Sequence, residues 1–394
     1  MSDTGGGHRA AAEAIQDAMI AHYGTDAVSV ELVDVYKHCL FPLNYMPEFY
    51  PWWVNNSKSS WGLSYALANT VPSAKVAANW IYMLNRRRLR QMALAHPADV
   101  VVSVHSVITR PSLSAYLTLP ERPPFLTVVT DLVSTPMIGY DQRAEKCFVP
   151  TRTAYQRGLD CGLRPDQLEN VGLPVHPRFS NGLSSKVEAR KELGWDAHDL
   201  PTVLIVAGGD GMGPLYKTAT AINDAKLPCQ LAIIAGRNDD LKARLEATEW
   251  NQPVHIYGFV TDMPRKMSAA DILVTKAGPA TISEACIAGL PIILNGAIPG
   301  QETGNVKHVV ENNAGVYAPS AQKVAKAVRQ WLEAGPNELQ RRSNNASRLA
   351  RPQAVEKIAE AVWEYAHLPP IMNTRKRLID GLLEAPTGIF PTLS

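Results

Sequence analysis

Residues 274–305 read VTKAGPATISEACIAGLPIILNGAIPGQETGN. The apolar run ending at Lys276 predicts a strand, Gly278 and Pro279 predict a turn, and a helix is expected to start near Thr281. Proline in the first turn of a helix costs little, because its missing N–H would have had no partner there. The free amide hydrogens and the positive end of the helix dipole then face outward, which suits a pyrophosphate. Glu284 comes one turn later, placed to accept hydrogen bonds from a ribose. The loop PGQETGN after the next strand offers Gln301, Glu302 and Asn305 to sugar hydroxyls. A plain strand–turn–helix with solvated polar ends is the competing reading, and two such loops at consecutive strand ends weigh against it.

Working outward, short β-rich runs alternate with helical stretches in both halves of the chain. They fall at 202–208, 230–236, 254–258, 271–276 and 291–296 in the second half, and at 28–34, 100–104 and 125–130 in the first. Near-continuous apolar strands separated by helices predict parallel sheets covered on both faces. Two such series predict an α/β chain of two Rossmann-like, doubly wound domains, whose ligands bind beyond the carboxyl ends of the strands. The border is expected in GLPVHPRFSNG (172–182). This gives a domain over 1–175, a second over 176–354, and helices over 355–394 that pack back on the first.

The opening MSDTGGGHRAAAEAI places a glycine turn directly before a helical run. Such turns normally join a strand to a helix. The first strand of the amino-terminal domain is therefore expected just upstream of Ser2, and stunted or absent in the chain as given.

The chain has 394 residues, 46% of them apolar and 19% charged, as in a globular protein. A net charge of +2 does not suggest nucleic acid as the main partner. The five cysteines (Cys39, Cys147, Cys161, Cys229, Cys286) form no C-x-x-C pair, which argues for a reducing compartment and against a zinc or disulfide framework. No signal peptide is read, and no apolar run reaches the roughly 18 residues of a spanning helix. A cytosolic protein, or one bound to a membrane from its cytoplasmic face, is expected.

Several blocks resemble the monogalactosyldiacylglycerol synthases of glycosyltransferase family 28, which are related more distantly to the lipid II N-acetylglucosaminyltransferase. They are residues 1–15, VVTDL (128–132), VGLPV (171–175), GGDGMGP (208–214), AGRN (235–238), GFVTDM (258–263), TKAGPATISEA (275–285) and GLPIILNGAIPGQETGNV (289–306). The resemblance implies a GT-B fold, with two Rossmann-like domains facing a central cleft and a UDP-sugar held mainly by the carboxyl-terminal one. Carried over by position, Gly278, Pro279, Ala280 and Thr281, with Lys276 before them, meet the diphosphate, and Glu284 meets the ribose. Gln301, Glu302 and Asn305 hold the hexose, and Phe259 and Val260 contact the uracil. The turn containing Gly209, Gly211, Met212 and Gly213 faces the phosphates. Arg237 and Asn238 reach the nucleotide, with Arg237 neutralising charge on the leaving group.

The resemblance also makes His8 the base that takes the acceptor hydroxyl's proton, a role suited to histidine's pKa. Gly6, Gly7 and His8 form the acceptor loop. Asp131 either orients His8 or accepts the proton itself, and a helix-capping role is an equal alternative. No D-x-D triplet occurs, so no metal or other cofactor is expected. Two departures lie on the acceptor side: VSTPMIGYD (133–141) stands where plant-type members have a His-Pro-x-Trp-Phe-like stretch, and Ser106 follows His105 where the family has proline.

Residues 49–98 hold no Asp or Glu, but include Lys58, Lys75, Arg86, Arg87, Arg88 and Arg90, and four of the eight tryptophans, Trp52, Trp53, Trp61 and Trp80. YPWWVNNSKSSWGLSY (50–65) reads as an aromatic loop for a headgroup region and the arginines as a contact for anionic lipid. Ordinary core packing of a helix over 79–94 is the alternative. Together these features predict an inverting transfer of a hexose, galactose before glucose, from a UDP-sugar to the hydroxyl of 1,2-diacylglycerol at a membrane surface. A UDP-GlcNAc 2-epimerase-like isomerase and a non-catalytic UDP-sugar or lipid-surface binder are the rivals.

Overall fold

The computed structural model describes the chain apart from residues 3–5, 58–59, 61, 63–64, 67–68, 196–198, 208–213 and 374–394. It divides into two compact units. One comprises Met1–Pro174 with the described residues from Gln353 on, and the other is Val175–Pro352.

In the second unit, strands alternate with helices along the chain. We number the strands of the whole molecule in order: β1 (Val101–Ser103), β2 (Glu121–Arg122), β3 (Phe125–Val128), β4 (Lys146–Val149), β5 (Leu168–Asn170), β6 (Thr202–Val206), β7 (Gln230–Ile234), β8 (Val254–Tyr257), β9 (Ile272–Lys276), β10 (Ile292–Gly296), β11 (Gly315–Tyr317) and β12 (Ile371–Met372). The second unit's sheet runs β11-β10-β9-β6-β7-β8, all parallel. β6 and β7 are buried along their whole length, as the apolar runs require of strands covered on both faces. Strand order reverses between β6 and β9, the point at which an open α/β sheet leaves a crevice beyond its strand ends. Lys276 ends β9 beside that point.

The first unit has a parallel sheet in the order β1-β3-β4-β5. The helices Gly6–Tyr23 and Ala354–Ala366 pack together on it through Ile15, Met19, Val355, Ile358 and Val362. β12 pairs antiparallel with β2, whose Arg122 is buried against Glu145 through two hydrogen bonds of 3.0 and 2.9 Å.

Residues 28–34 form no strand, contrary to the sequence reading. Met1 bonds to this segment, its amino group donating to the Val33 carbonyl at 2.8 Å and its carbonyl accepting from the Val35 amide at 3.2 Å, and Gln16 Nε2 donates to the Val30 carbonyl at 3.2 Å. Between residues 28–35 and β1 lies a cavity of about 520 Å³, lined by Met1, Val33, Val102, Ile15 and Met19 among others. Alternating apolar residues without a neighbouring backbone to complete the ladder stay extended but unpaired. A second correction concerns Trp52 and Trp53. They stand on a helix, Met46–Asn56, not in a loop: Pro47 sits in its first turn, and the helix continues past Pro51 to its cap residue Ser57. β2, β4, β5, β11 and β12 are not among the runs read from the sequence.

Candidate functional site

The Pro279–Ile287 helix follows β9 with Gly278 as its cap residue in an extended conformation and Pro279 at its first position. The helix thus starts two residues before Thr281, because proline's fixed φ already suits the first turn. Gly278 is close-packed: a Cβ on it would lie 3.2 Å from Lys276 Nζ. The amides of Ala280 and Thr281 therefore open next to an ammonium group, and the two together can balance a doubly charged phosphate.

Lys276 is held by Glu302, whose Oε1 lies 2.6 Å from Nζ while Oε2 accepts the Ile298 amide at 2.8 Å. The Glu302 side chain is only 3% exposed. Asn305 is buried as well, and its Nδ2 donates to the Ala277 carbonyl at 2.9 Å while Oδ1 has no hydrogen-bond partner among the described residues. Both residues brace the 276–279 turn from below. Gln301 is half-buried beside them. Glu284 keeps an open edge yet is crowded enough that burial raises its carboxyl to about 7, partly offset by the charge of Arg178.

Arg178 was not singled out in the sequence. It stands on the short Arg178–Asn181 helix, and its Nη1 donates to the Thr261 carbonyl at 3.1 Å, tying that helix to the loop that carries Phe259 and Val260. Phe259 is 54% exposed, and the Arg237 guanidinium lies over its ring at 4.2 Å. An exposed ring backed by a cation offers a flat face for a base. Asn238 spends its side-chain oxygen on capping the Asp239–Glu246 helix, accepting the Leu241 amide at 2.9 Å. Gly209, Gly211, Met212 and Gly213 lie outside the described residues.

In the first unit, Gly6, Gly7 and His8 form the first turn of the Gly6–Tyr23 helix, not a free loop. His8 Nδ1 lies 3.0 Å from the Val104 carbonyl and 2.8 Å from Thr130 Oγ1, and that hydroxyl itself donates to Val104 at 3.0 Å. A carbonyl only accepts, so Nδ1 carries the hydrogen and Nε2 keeps its lone pair. Burial lowers the His8 pKa to about 4, against a smaller opposing effect of the Val104 bond, and the Met1 ammonium lowers it further. A neutral imidazole with Nε2 free is the form a base needs. Asp131, beside Thr130, is buried, and Ser106 Oγ lies 3.4 Å from its Oδ2. Thr130 and Val104 are partners that the sequence reading missed, although Thr130 stands within the quoted VVTDL.

The Val71–Ala95 helix turns Ala74, Ala78, Tyr82, Leu89 and Met92 inward and leaves Val76, Trp80 and Leu84 exposed. Arg86, Arg87 and Arg90 are exposed on its second half, as is Arg88, which donates to the Cys39 carbonyl at 3.2 Å. Trp52 is exposed beside Phe49, and Trp53, half-buried, donates to Ser60 Oγ at 2.9 Å. Trp61 lies outside the described residues. No helix of the described residues is long and apolar enough to cross a membrane.

Comparison with known proteins bears on both units. The monogalactosyldiacylglycerol (MGDG) synthase family matches residues 8–175, and the glycosyltransferase family 28 C-terminal domain matches residues 202–362. The chain is 40% identical over 376 residues to the chloroplastic MGDG synthase of Spinacia oleracea, covering 92% of this chain and 71% of that one. It is 39% identical over 376 residues to MGDG synthase 1 of Arabidopsis thaliana, covering 92% and 70%. The chain belongs to the MGDG synthase family. Among solved structures it is similar to Acinetobacter baumannii MurG (TM-score 0.52, 16% identity, 73% of this chain and 79% of that one). It is also similar to the UDP-GlcNAc 2-epimerase of Neisseria meningitidis bound to UDP-GlcNAc (TM-score 0.53, 15% identity, 73% and 82%). At such identity these likenesses carry the fold alone, the GT-B class with two Rossmann-like units.

Proposed function

We propose that this MGDG synthase family member transfers galactose, with inversion, from UDP-galactose to the free hydroxyl of 1,2-diacylglycerol. The observation that carries the reading is the family match across both units, with 92% of the chain aligned to named MGDG synthases. The acceptor oxygen attacks the anomeric carbon, the bond to the β-phosphate oxygen breaks with its electron pair on UDP, and the hydroxyl proton passes to His8 Nε2. The geometry that supports this is the Nδ1–H tautomer fixed by Val104 and Thr130. The charge left on UDP is met by the Ala280 and Thr281 amides, Lys276 and Arg237 without a metal. Glu284 accepts from the ribose, and Phe259 with Val260 faces the uracil. Gln301 is the hexose contact, while Glu302 and Asn305 act on the hexose through the turn they brace.

The same reading places the protein on an anionic membrane surface. Val76, Trp80 and Leu84 enter the headgroup region, and Arg86, Arg87 and Arg90 stay at the phosphates. The diacylglycerol acceptor resides in that bilayer, so docking brings enzyme and acceptor together.

The test is incubation with diacylglycerol vesicles and either UDP-galactose or UDP-glucose in the presence of EDTA, followed by identification of the lipid product. A β-galactolipid formed from UDP-galactose is expected. A glucolipid alone overturns the donor assignment, and loss of turnover with EDTA overturns the metal-free chemistry.

A further inference from the structure

His8 is pinned through Nδ1, and a ring held at one nitrogen can still swing about that bond. What fills the space against its face is His105, whose ring centroid lies 4.2 Å away at a 48° tilt. His105 is 6% exposed and sits between β1 and the Ser106–Tyr116 helix, as the cap residue of that helix. Its carbonyl accepts Thr109 Oγ1 at 3.0 Å, and Thr109 in turn meets Ser103 Oγ at 2.8 Å. The ring is also backed edge-on by Tyr36, with centroids 5.5 Å apart at 89°. Tyr36 is itself packed with Val35, Cys39, Tyr82 and Ile108. The wall against His8 is thus anchored in both backbone and core.

We infer that His105 is the positioning residue for His8, holding the face of the imidazole so that Nε2 points where the acceptor hydroxyl must arrive. This rests on the reading of His8 as the base. His105 sits directly after Val104, whose carbonyl accepts the hydrogen bond from His8 Nδ1, so one turn of chain controls both the tautomer and the plane of the ring. Ser106, the next residue, reaches Asp131, the neighbour of Thr130. The dipeptides 105–106 and 130–131 therefore bracket His8 from two strand ends.

The wall must stay uncharged, because two adjacent imidazolium rings repel each other when His8 takes its proton. Among the described residues, the charged and titratable groups facing the pair are the Met1 ammonium and Tyr36, with Asp34 behind Tyr36 and Asp131 behind Thr130. Burial keeps Tyr36 neutral, and the ammonium opposes any further positive charge. Burial, then the neighbouring His8, hold His105 well below the ordinary histidine range. A phenylalanine supplies the same wall without a titrating nitrogen.

The experiment compares the full chain with its His105→Ala, His105→Phe and His8→Ala variants, measuring kcat, KM for UDP-galactose and the pH profile of each. His105→Ala is expected to lower kcat about 30-fold with KM within about 2-fold, since the loss falls on orientation rather than donor binding. Its acid limb should also move upward as water reaches His8. His105→Phe should recover most of kcat and keep the acid limb low, a rescue that a merely structural role for the histidine does not predict. Parent kcat and an unmoved limb in His105→Ala would overturn the inference, as would a folded His105→Phe no better than His105→Ala. Retained turnover in His8→Ala overturns the base reading itself, a separate failure.

Discussion

Glu302 sets one carboxylate oxygen 2.6 Å from Lys276 Nζ and the other 2.8 Å from the Ile298 amide, so a single buried side chain joins the ends of two consecutive strand loops. Removing it leaves Lys276 and an amide without their acceptor. Glu302→Ala is expected to cost about 2 kcal/mol of stability in chemical denaturation, less than a fully buried pair because Lys276 is one-third exposed. It should also weaken UDP binding about 10-fold, since the turn over the helix start loses its brace. Unchanged UDP affinity in a folded variant would detach this pair from the donor site.

The two shifted groups act oppositely on stability. His8 falls from 6.5 to about 4 in the folded chain, so the unfolded chain binds more protons between those values and stability rises with pH across that window. Glu284 rises from 4.5 to about 7, so the folded chain holds the proton longer and stability falls as pH rises from 4.5 to 7. Glu284→Gln removes the second effect. Its Tm should climb more steeply between pH 5 and 7 than that of the parent chain, as followed by scanning calorimetry. Parallel curves would contradict the Glu284 shift.

Membrane docking is expected to depend on charge and on aromatic contact separately. Arg86, Arg87 and Arg90 replaced by Gln should weaken binding to anionic vesicles about 100-fold at low salt, at about 1 kcal/mol for each arginine. Trp80→Ser should weaken binding to neutral vesicles as well. Cosedimentation at two salt concentrations separates the two effects. Binding that survives the triple change at low salt would remove the electrostatic part.

The cavity beside β1 gives a stability test. About five apolar residues in extended alternation, added ahead of Met1, match the length of 29–33 and continue the hydrogen bonding that Met1 begins. They are expected to raise Tm by several degrees, whereas a Gly/Ser extension of equal length should not. Equal effects of the two extensions would show that the cavity does not take a strand.

Much of the second unit was legible because its strands are long apolar runs, and a fully buried parallel strand shows itself by composition alone, as in TVLIV and QLAII. The loops after β9 and β10 were legible for the same reason, since strand ends locate them. What the sequence could not show was direction. Glu302 and Asn305 look like free polar groups in PGQETGN, yet the fold turns both inward, and only the three-dimensional neighbourhood of Lys276 and Ala277 explains why. The segment 28–34 has the alternation of a strand, and among the described residues no neighbouring strand pairs with it, a fact about its neighbours and not about its own residues. His105 and Thr130 stood in quoted motifs, but their relation to His8 spans 97 and 122 positions and exists only after folding.

Donor binding, at a site beginning at Lys276, and proton removal, by His8, are separate tasks in the proposed transfer. Calorimetric titration of UDP into the parent chain and His8→Ala, paired with galactolipid formation from UDP-galactose on diacylglycerol vesicles, tests that separation most directly. The expected result is equal UDP affinity in the two proteins, with turnover lost in His8→Ala by about 1,000-fold. Full turnover in His8→Ala, or loss of UDP binding together with turnover, would contradict it.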